Sequence, residues 1–327
     1  MNNPRKTADR GDSGGVKTWS TPVTGEEKRP VPCALCGGGA FVPHFSGGGF
    51  TYVRCVTCGL VQINPQPLPA AVRARYNRTG APPADGGTAP GREEDYLAYE
   101  QAHEGPFLRL QEQALGDAGF FELEGRIMAA ARDGGPPADP DRPPMPDRPA
   151  ALDIGCATGA MLTLLKSRGW DARGVEISRP QAAYCRSRGL DAAALPLEEC
   201  RFPAGRFDAV LASHVIEHVN DPASFVREAR RILKPRGRFY VTTPNIAGLQ
   251  ARLFGGRWRS AIFDHLYLFS VRTLGALLKK EGFTVERVRT WGGLAAGIGP
   301  GPVKRVLDSL AKPLGFGDVM IVRAVRD

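Results

Sequence analysis

Two sets of residues in this chain have types and spacing that could do chemistry. The first is Asp153-Ile154-Gly155-Cys156-Ala157-Thr158-Gly159, followed by Glu176 in Gly174-Val175-Glu176-Ile177-Ser178. An apolar run ending in Asp-x-Gly-x-x-x-Gly suits a buried parallel strand that turns into a helix, because glycine lets the backbone turn sharply and approach a ligand. An acid closing the next apolar run can accept both hydroxyls of a ribose. NAD and S-adenosylmethionine are the two candidate ligands. The nicotinamide fingerprint Gly-x-Gly-x-x-Gly needs a second glycine beside the pyrophosphate, and here Cys156 and Ala157 take its place. Asp153, two residues before the first glycine, suits a sulfonium and an amino group better than two phosphates.

The second set is Cys33-x-x-Cys36 and Cys55-x-x-Cys58, with eighteen residues between the pairs. This is zinc-ribbon spacing: two turns supply four thiolates in a tetrahedron, and Gly37 and Gly59 can take the positive φ that a metal knuckle needs. Four thiolates leave no coordination position for substrate or water, so a structural zinc is expected. His44 is then a spare polar residue. The other three of the seven cysteines, Cys156, Cys185 and Cys200, are unpaired in sequence, which fits packing roles in a reducing compartment.

The ordered series Leu152–Gly159, Glu176, Phe207-Asp208-Ala209-Val210-Leu211-Ala212-Ser213-His214-Val215-Ile216-Glu217-His218 and Leu233-Lys234-Pro235-Arg236-Gly237 resembles the class I S-adenosylmethionine-dependent methyltransferases, over roughly residues 150 to 327. The resemblance implies a Rossmann-like α/β sheet of seven strands with an antiparallel last strand, and S-adenosylmethionine as cofactor. It implies cofactor contacts from Asp153, Gly155, Ala157, Gly159, Glu176 and Ile177, from Leu197 near the adenine, and from Ser213 at the end of the fourth strand. The run from Arg54 to Pro67 resembles the zinc-binding head in front of some bacterial methyltransferases, including sugar C-methyltransferases, where the head helps shape the acceptor side. Asp264-His265 resembles the Glu-His that carries the base in those enzymes. Catalytic roles are therefore expected of His265, as the base, and of His218. Those sugar enzymes continue into a long further C-terminal domain, so oxygen is expected as the acceptor atom, with carbon as the alternative.

His214-x-x-Glu217-His218 also matches the inverted zinc-peptidase pattern. Peptidase chemistry would need a third ligand that nothing in the sequence identifies, so that assignment is rejected. The same place in quinone O-methyltransferases carries Glu-x-x-Glu-His, associated with a divalent cation, and His214 departs from it. The alternative is a hydrogen-bonded Glu217–His218 pair that fixes the loop.

These residues need elements to hold them. Alternating apolar runs place strands near 150–154, 172–177, 191–194, 207–212 and 238–243 with helices between, which means a parallel sheet with right-handed crossovers. Phe283–Thr290 and Asp318–Val325 are expected to close the sheet as an antiparallel pair. Before the sheet, residues 1–30 read as a disordered tail, 31–64 as the ribbon and 65–132 as a helical connector, broken at Gly105-Pro106 and Gly116. Residues 133–149 read as a Pro-rich linker, and 150–327 as the methyltransferase domain.

The 327 residues carry a net charge of +9, but the arginines are scattered among acids rather than gathered in a basic block. A small-molecule or glycan-linked polar acceptor is expected. An RNA-modifying enzyme that uses the ribbon to hold nucleic acid is the alternative. No apolar run reaches membrane-spanning length and the N-terminus lacks a signal-peptide core, so a cytoplasmic protein is expected. The oligomeric state is not legible.

Overall fold

The computed structural model describes residues 26–47, 50–77, 93–132, 148–292 and 315–327. Most of the expected tail, the Gly/Pro/Ala-rich stretch at 79–91 and most of the linker at 133–149 lie outside the described residues. In chain order the N-terminal part contains β1 (Lys28–Arg29), β2 (Phe41–Gly47), β3 (Phe50–Cys55), β4 (Val61–Ile63) and β5 (Gln66–Pro67), then α1 (Pro69–Arg75), α2 (Glu93–Asp117) and α3 (Phe120–Arg132). The α/β part follows as β6 (Ala150–Ile154), α4 (Ala160–Ser167), β7 (Asp171–Val175), α5 (Arg179–Ser187), β8 (Ala192–Ala193), β9 (Phe207–Ser213), α6 (Pro222–Ile232) and β10 (Leu233–Pro244). It continues as α7 (Leu249–Phe254), β11 (Tyr267–Leu268), α8 (Val271–Lys280), β12 (Phe283–Trp291) and β13 (Val319–Arg326).

Seven strands form one sheet in the order β12-β13-β10-β9-β6-β7-β8. Strands β6 to β10 are parallel, and β13 runs antiparallel between β10 and β12. This is the expected Rossmann-like sheet with an antiparallel closing strand. β6 is buried at every position, as a central parallel strand covered on both faces must be. From β6 the chain moves outward to β7 and β8, then crosses to β9 on the other side. The strand order reverses between β6 and β9, and in open α/β sheets the crevice outside the carboxyl ends at that point receives ligands.

The connector departs from its expected breaks. α2 runs unbroken through Gly105-Pro106, both on its exposed face, where the carbonyl that loses its amide partner can turn to water. The chain turns instead at Ala118-Gly119, where Gly119 has φ +76° and Arg323 donates to the Ala118 carbonyl at 2.8 Å. α3 then docks through Phe120, stacked on Trp170 at 5.5 Å, while Glu124 accepts from the Trp170 indole N–H at 2.7 Å.

A second sheet has the order β11-β4-β3-β2. Its fourth strand, β11, comes from the far end of the chain: Tyr267 and Leu268 pair with Gln62 and Val61. The cysteine-bearing head and the α/β part thus share a sheet. α8 adds two more ties, with Arg272 donating to the Cys58 carbonyl and Lys280 to the Leu35 carbonyl, each at 2.8 Å.

Candidate active site

The loop after β6 sits in the crevice. Gly155 and Gly159 have φ of +74° and +85°. A Cβ on Gly155 would press on the Val215 side chain and one on Gly159 on that of Leu190, and the positive φ strains any larger residue at both positions. Ala157 holds φ +45°, an uncommon angle for a residue with a Cβ. Its N–H donates to Glu176 Oε2 at 3.0 Å, and Ser178 N–H donates to Oε1 at 2.8 Å. Each oxygen of the buried Glu176 carboxylate keeps a second lone pair, which is what two ribose hydroxyls would require.

Asp153 and Ser213 border a small cleft, which Gln111 and Leu115 of α2 also line. α2 is thus a wall of the cleft and not only a bridge between parts. Burial, with the nearby Glu176 charge, pushes the Asp153 carboxyl up to about 7. Burial raises the Glu176 carboxyl as well, and two buried carboxyls with disfavoured charge form a site that a cationic ligand relieves, such as a sulfonium with an amino group. Ile177 is half-buried beside Glu176, and Leu197 is buried at the start of a short 3-10 turn whose carboxylate Glu199 meets Arg73 of α1 at 2.8 Å.

After β9 and before β11 the structure brings together Glu217, His218 and His265, each with one ligand-type atom within 4.8 Å of the others. The two imidazole rings meet edge to face, with centroids 4.7 Å apart. His265 is buried and its Nδ1 lies 2.8 Å from the Ser260 carbonyl, so Nδ1 carries the proton and Nε2 keeps its lone pair. Burial, and then the neighbouring His218, push His265 down to about 3, which keeps the ring neutral. His218 Nδ1 lies 3.0 Å from the Asp264 carbonyl and 3.2 Å from the Tyr76 hydroxyl.

Burial alone would raise Glu217, but the hydrogen bond from His214 and the imidazoles of His214, His218 and His265 around it outweigh burial and bring the carboxyl down to about 2. His214 Nδ1 meets Glu217 Oε1 at 3.1 Å and Thr243 donates to Oε2 at 2.9 Å. One expectation changes here. His265 joins Glu217 and His218, while His214, where the sequence departs from the quinone-enzyme pattern, takes φ +55° and stands half-exposed as a partner to the carboxylate. Among the described residues Glu217 bonds His214 and Thr243, not His218, so the expected Glu217–His218 pair is replaced by two separately pinned groups. Glu217, His218 and His265 are the residues that could hold a cation. Asp264 pairs with Arg75 at 3.0 Å rather than with His265.

Sequence reasoning missed Tyr52, Tyr76 and Asn77. Tyr52, fully buried in the head, donates to the carbonyls of both Ile262 and His265, each at 2.7 Å. It ties the head to the His265 backbone across 213 positions of sequence. No local pattern announces such a contact.

In the head, Cys33 and Cys58 Sγ lie 3.3 Å apart and Cys36 and Cys55 Sγ 3.5 Å apart, with all four sulfurs within 4.8 Å of one another. Four sulfurs around one tetrahedral zinc would stand about 3.8 Å apart, so the donor set fits that metal. Gly37 and Gly59 N–H donate to the Cys33 and Cys55 carbonyls at 2.8 and 2.9 Å with φ of +74° and +79°, one knuckle per pair. His44 is exposed and rests on Phe45, outside the cluster.

The family model described as a methyltransferase domain matches residues 136–288. Ubiquinone biosynthesis O-methyltransferase of Bordetella avium is 32% identical over 101 residues, covering 29% of this chain and 42% of that protein. The enzyme of the same name from Methylococcus capsulatus is 33% identical over 102 residues, covering 29% and 43%. The chain thus spans about two fifths of the length of these relatives. Among solved structures, a SAM-dependent methyltransferase of Thermotoga maritima, described as a possible histamine N-methyltransferase, is 22% identical with a TM-score of 0.42, covering 68% of this chain and 97% of that one. A methyltransferase of Mesorhizobium loti, also 22% identical with a TM-score of 0.42, covers 54% and 90%. The matched segment carries β6 to β10, the glycine loop and Glu176, and with the sheet order it supports the class I S-adenosylmethionine-dependent methyltransferase fold that the sequence resemblance implies.

Proposed function

We propose that this protein transfers the methyl group of S-adenosylmethionine to a hydroxyl of a small or glycan-linked polar acceptor, with transfer to carbon as the alternative. The observation that carries this reading is that the end of α1 meets both groups: Asn77 donates to the Ile177 carbonyl beside Glu176, and the Tyr76 hydroxyl meets His218. The curated relatives' O-methyltransferase chemistry supports oxygen as the acceptor atom. When bound, the cofactor supplies an electrophilic methyl on a sulfonium. Glu176 accepts the ribose hydroxyls, Asp153 balances the positive charge, Gly155, Ala157 and Gly159 allow close backbone approach, and Ile177, Leu197 and Ser213 complete the walls.

Displacement at a methyl needs the acceptor held in line and its proton removed, and little else. His265 Nε2 takes that proton, and the Glu217 carboxylate offsets the charge that the ring gains. His218 orients the acceptor. The four cysteines hold a structural zinc, and the head (31–64), connector (65–132) and methyltransferase domain (150–327) act as one unit in shaping the site. The protein works in the cytoplasm. The direct test is incubation with methyl-labelled S-adenosylmethionine and panels of phenols, sugars and sugar nucleotides. Label in an ether-type product supports the reading, and label only in added RNA contradicts it.

A further inference from the structure

The half of the site built on Glu176 receives support from outside the segment matched by the methyltransferase family. Asn77, just beyond the end of α1, donates its Nδ2 to the Ile177 carbonyl at 2.9 Å and accepts the Arg179 N–H at Oδ1, also at 2.9 Å. Arg179 opens α5, and the helix's own cap residue, Ser178, makes no side-chain capping bond. The cap therefore comes from 102 positions earlier in the chain. A helix N-terminus needs its free N–H groups satisfied, and an asparagine oxygen is among the best partners.

The two contacts bracket the turn that carries the acid. Glu176 Oε1 holds the Ser178 N–H from within the turn, while Asn77 holds the carbonyl before that amide and the N–H after it. Asn77 is fixed in turn. Its Nδ2 also reaches the Arg73 carbonyl at 3.1 Å, Arg73 meets Glu199, and the adjacent Tyr76 hydroxyl meets His218. The end of α1 thus touches three loops at the carboxyl edge of the sheet.

We propose that Asn77 is a positioning residue for the cofactor: it closes the turn that presents Glu176, so affinity for the adenosyl group depends on the connector and not on the methyltransferase domain alone. This inference rests on the reading of Glu176 as the ribose acid. The test is calorimetric titration of the full chain with S-adenosylmethionine and, separately, S-adenosylhomocysteine, for wild type, Asn77→Ala and Asn77→Asp, with melting temperatures recorded for each.

Asn77→Ala is expected to weaken both ligands by about tenfold and to the same degree, since the lost bonds act on the adenosyl side that the two share. Asn77→Asp keeps an acceptor for the Arg179 N–H and places negative charge at the start of α5, but loses the donor to Ile177. It is expected to keep the wild-type melting temperature and still lose affinity. Unchanged affinity in both variants overturns the proposal. So does recovery of full affinity in Asn77→Asp, which would reduce Asn77 to a helix cap, or a loss confined to S-adenosylmethionine. A wild type that binds neither ligand fails the methyltransferase reading itself, a result distinct from any of these.

Discussion

The two halves of the proposed site are built in opposite ways. On the proposed reading the cofactor side rests chiefly on one stretch of chain, from Asp153 to Ser178, whose bonds to Glu176 are local, with Asn77 of the connector bracing it from outside. The acceptor side gathers His218 from the loop after β9, His265 from the segment before β11 and Tyr76 from α1, and pins the two histidines through backbone carbonyls. Its nearest backbone support, Tyr52, belongs to the cysteine-bearing head. The contrast teaches that the bonds on Glu176 are local, with Asn77 of the connector as a tie from outside, whereas the Glu217, His218 and His265 cluster exists only when head, connector and sheet are assembled. The two should therefore fail separately.

The largest break expected is removal of metal from the head. Chelation, or Cys55→Ser, should lower the melting temperature by more than about 10 °C, because structural zinc supplies folding free energy directly. It should also abolish methyl transfer while weakening S-adenosylmethionine binding far less, because β11 and Tyr52 hang on the head. Parallel loss of binding and transfer would erase the distinction between the two sides.

His265→Gln comes next. Transfer should fall by about 10²- to 10⁴-fold, the usual range for a general base, with cofactor affinity within about twofold of wild type by calorimetry. Burial already holds His265 neutral, pushed down to about 3, so the acid limb of the wild-type rate should lie well below pH 6.5. A limb near 6.5 in steady-state rates would point to another base. Tyr52→Phe removes one hydroxyl shared by two carbonyls and should lower kcat by about tenfold with the cofactor affinity retained.

The smallest effect expected is one of pH on the cofactor side. Asp153 is raised to about 7, so the free protein keeps its proton below that pH. A cationic ligand favours the carboxylate, and binding should therefore release a proton below pH 7 and strengthen as pH rises to about 7, then level off. The linked stability has the opposite sign: the contribution of a raised carboxyl is fully present below its unfolded value of 3.8 and is lost as pH rises through about 7. Asp153→Asn should flatten both profiles, which calorimetry in buffers of different ionisation enthalpy and melting curves would record.

The same contrast explains what could be read from sequence. The alternation of strands and helices, the glycine loop, the acid and the two cysteine pairs are written in short windows, and the backbone angles at Gly37, Gly59, Gly155 and Gly159 suit residue type and spacing. His265, Glu217 and His218 are each singled out by a local resemblance, but their meeting is not legible, because it depends on how two distant loops come together. The pairing of β11 with β4 was equally hidden, since Tyr267-Leu268 is a two-residue strand with no signal of its own. The unbroken α2 shows a further limit. A Gly-Pro pair predicts a break only where the freed carbonyl is denied water, and exposure is a tertiary property.

The most direct test of the central claim is calorimetry with S-adenosylmethionine on wild type, Glu176→Ala and His265→Gln under one set of conditions. We predict one binding site in wild type, a loss of about a hundredfold or more in Glu176→Ala, where two hydrogen bonds to the ribose disappear, and wild-type affinity in His265→Gln. Unchanged binding in Glu176→Ala, or equal losses in both variants, would contradict the account.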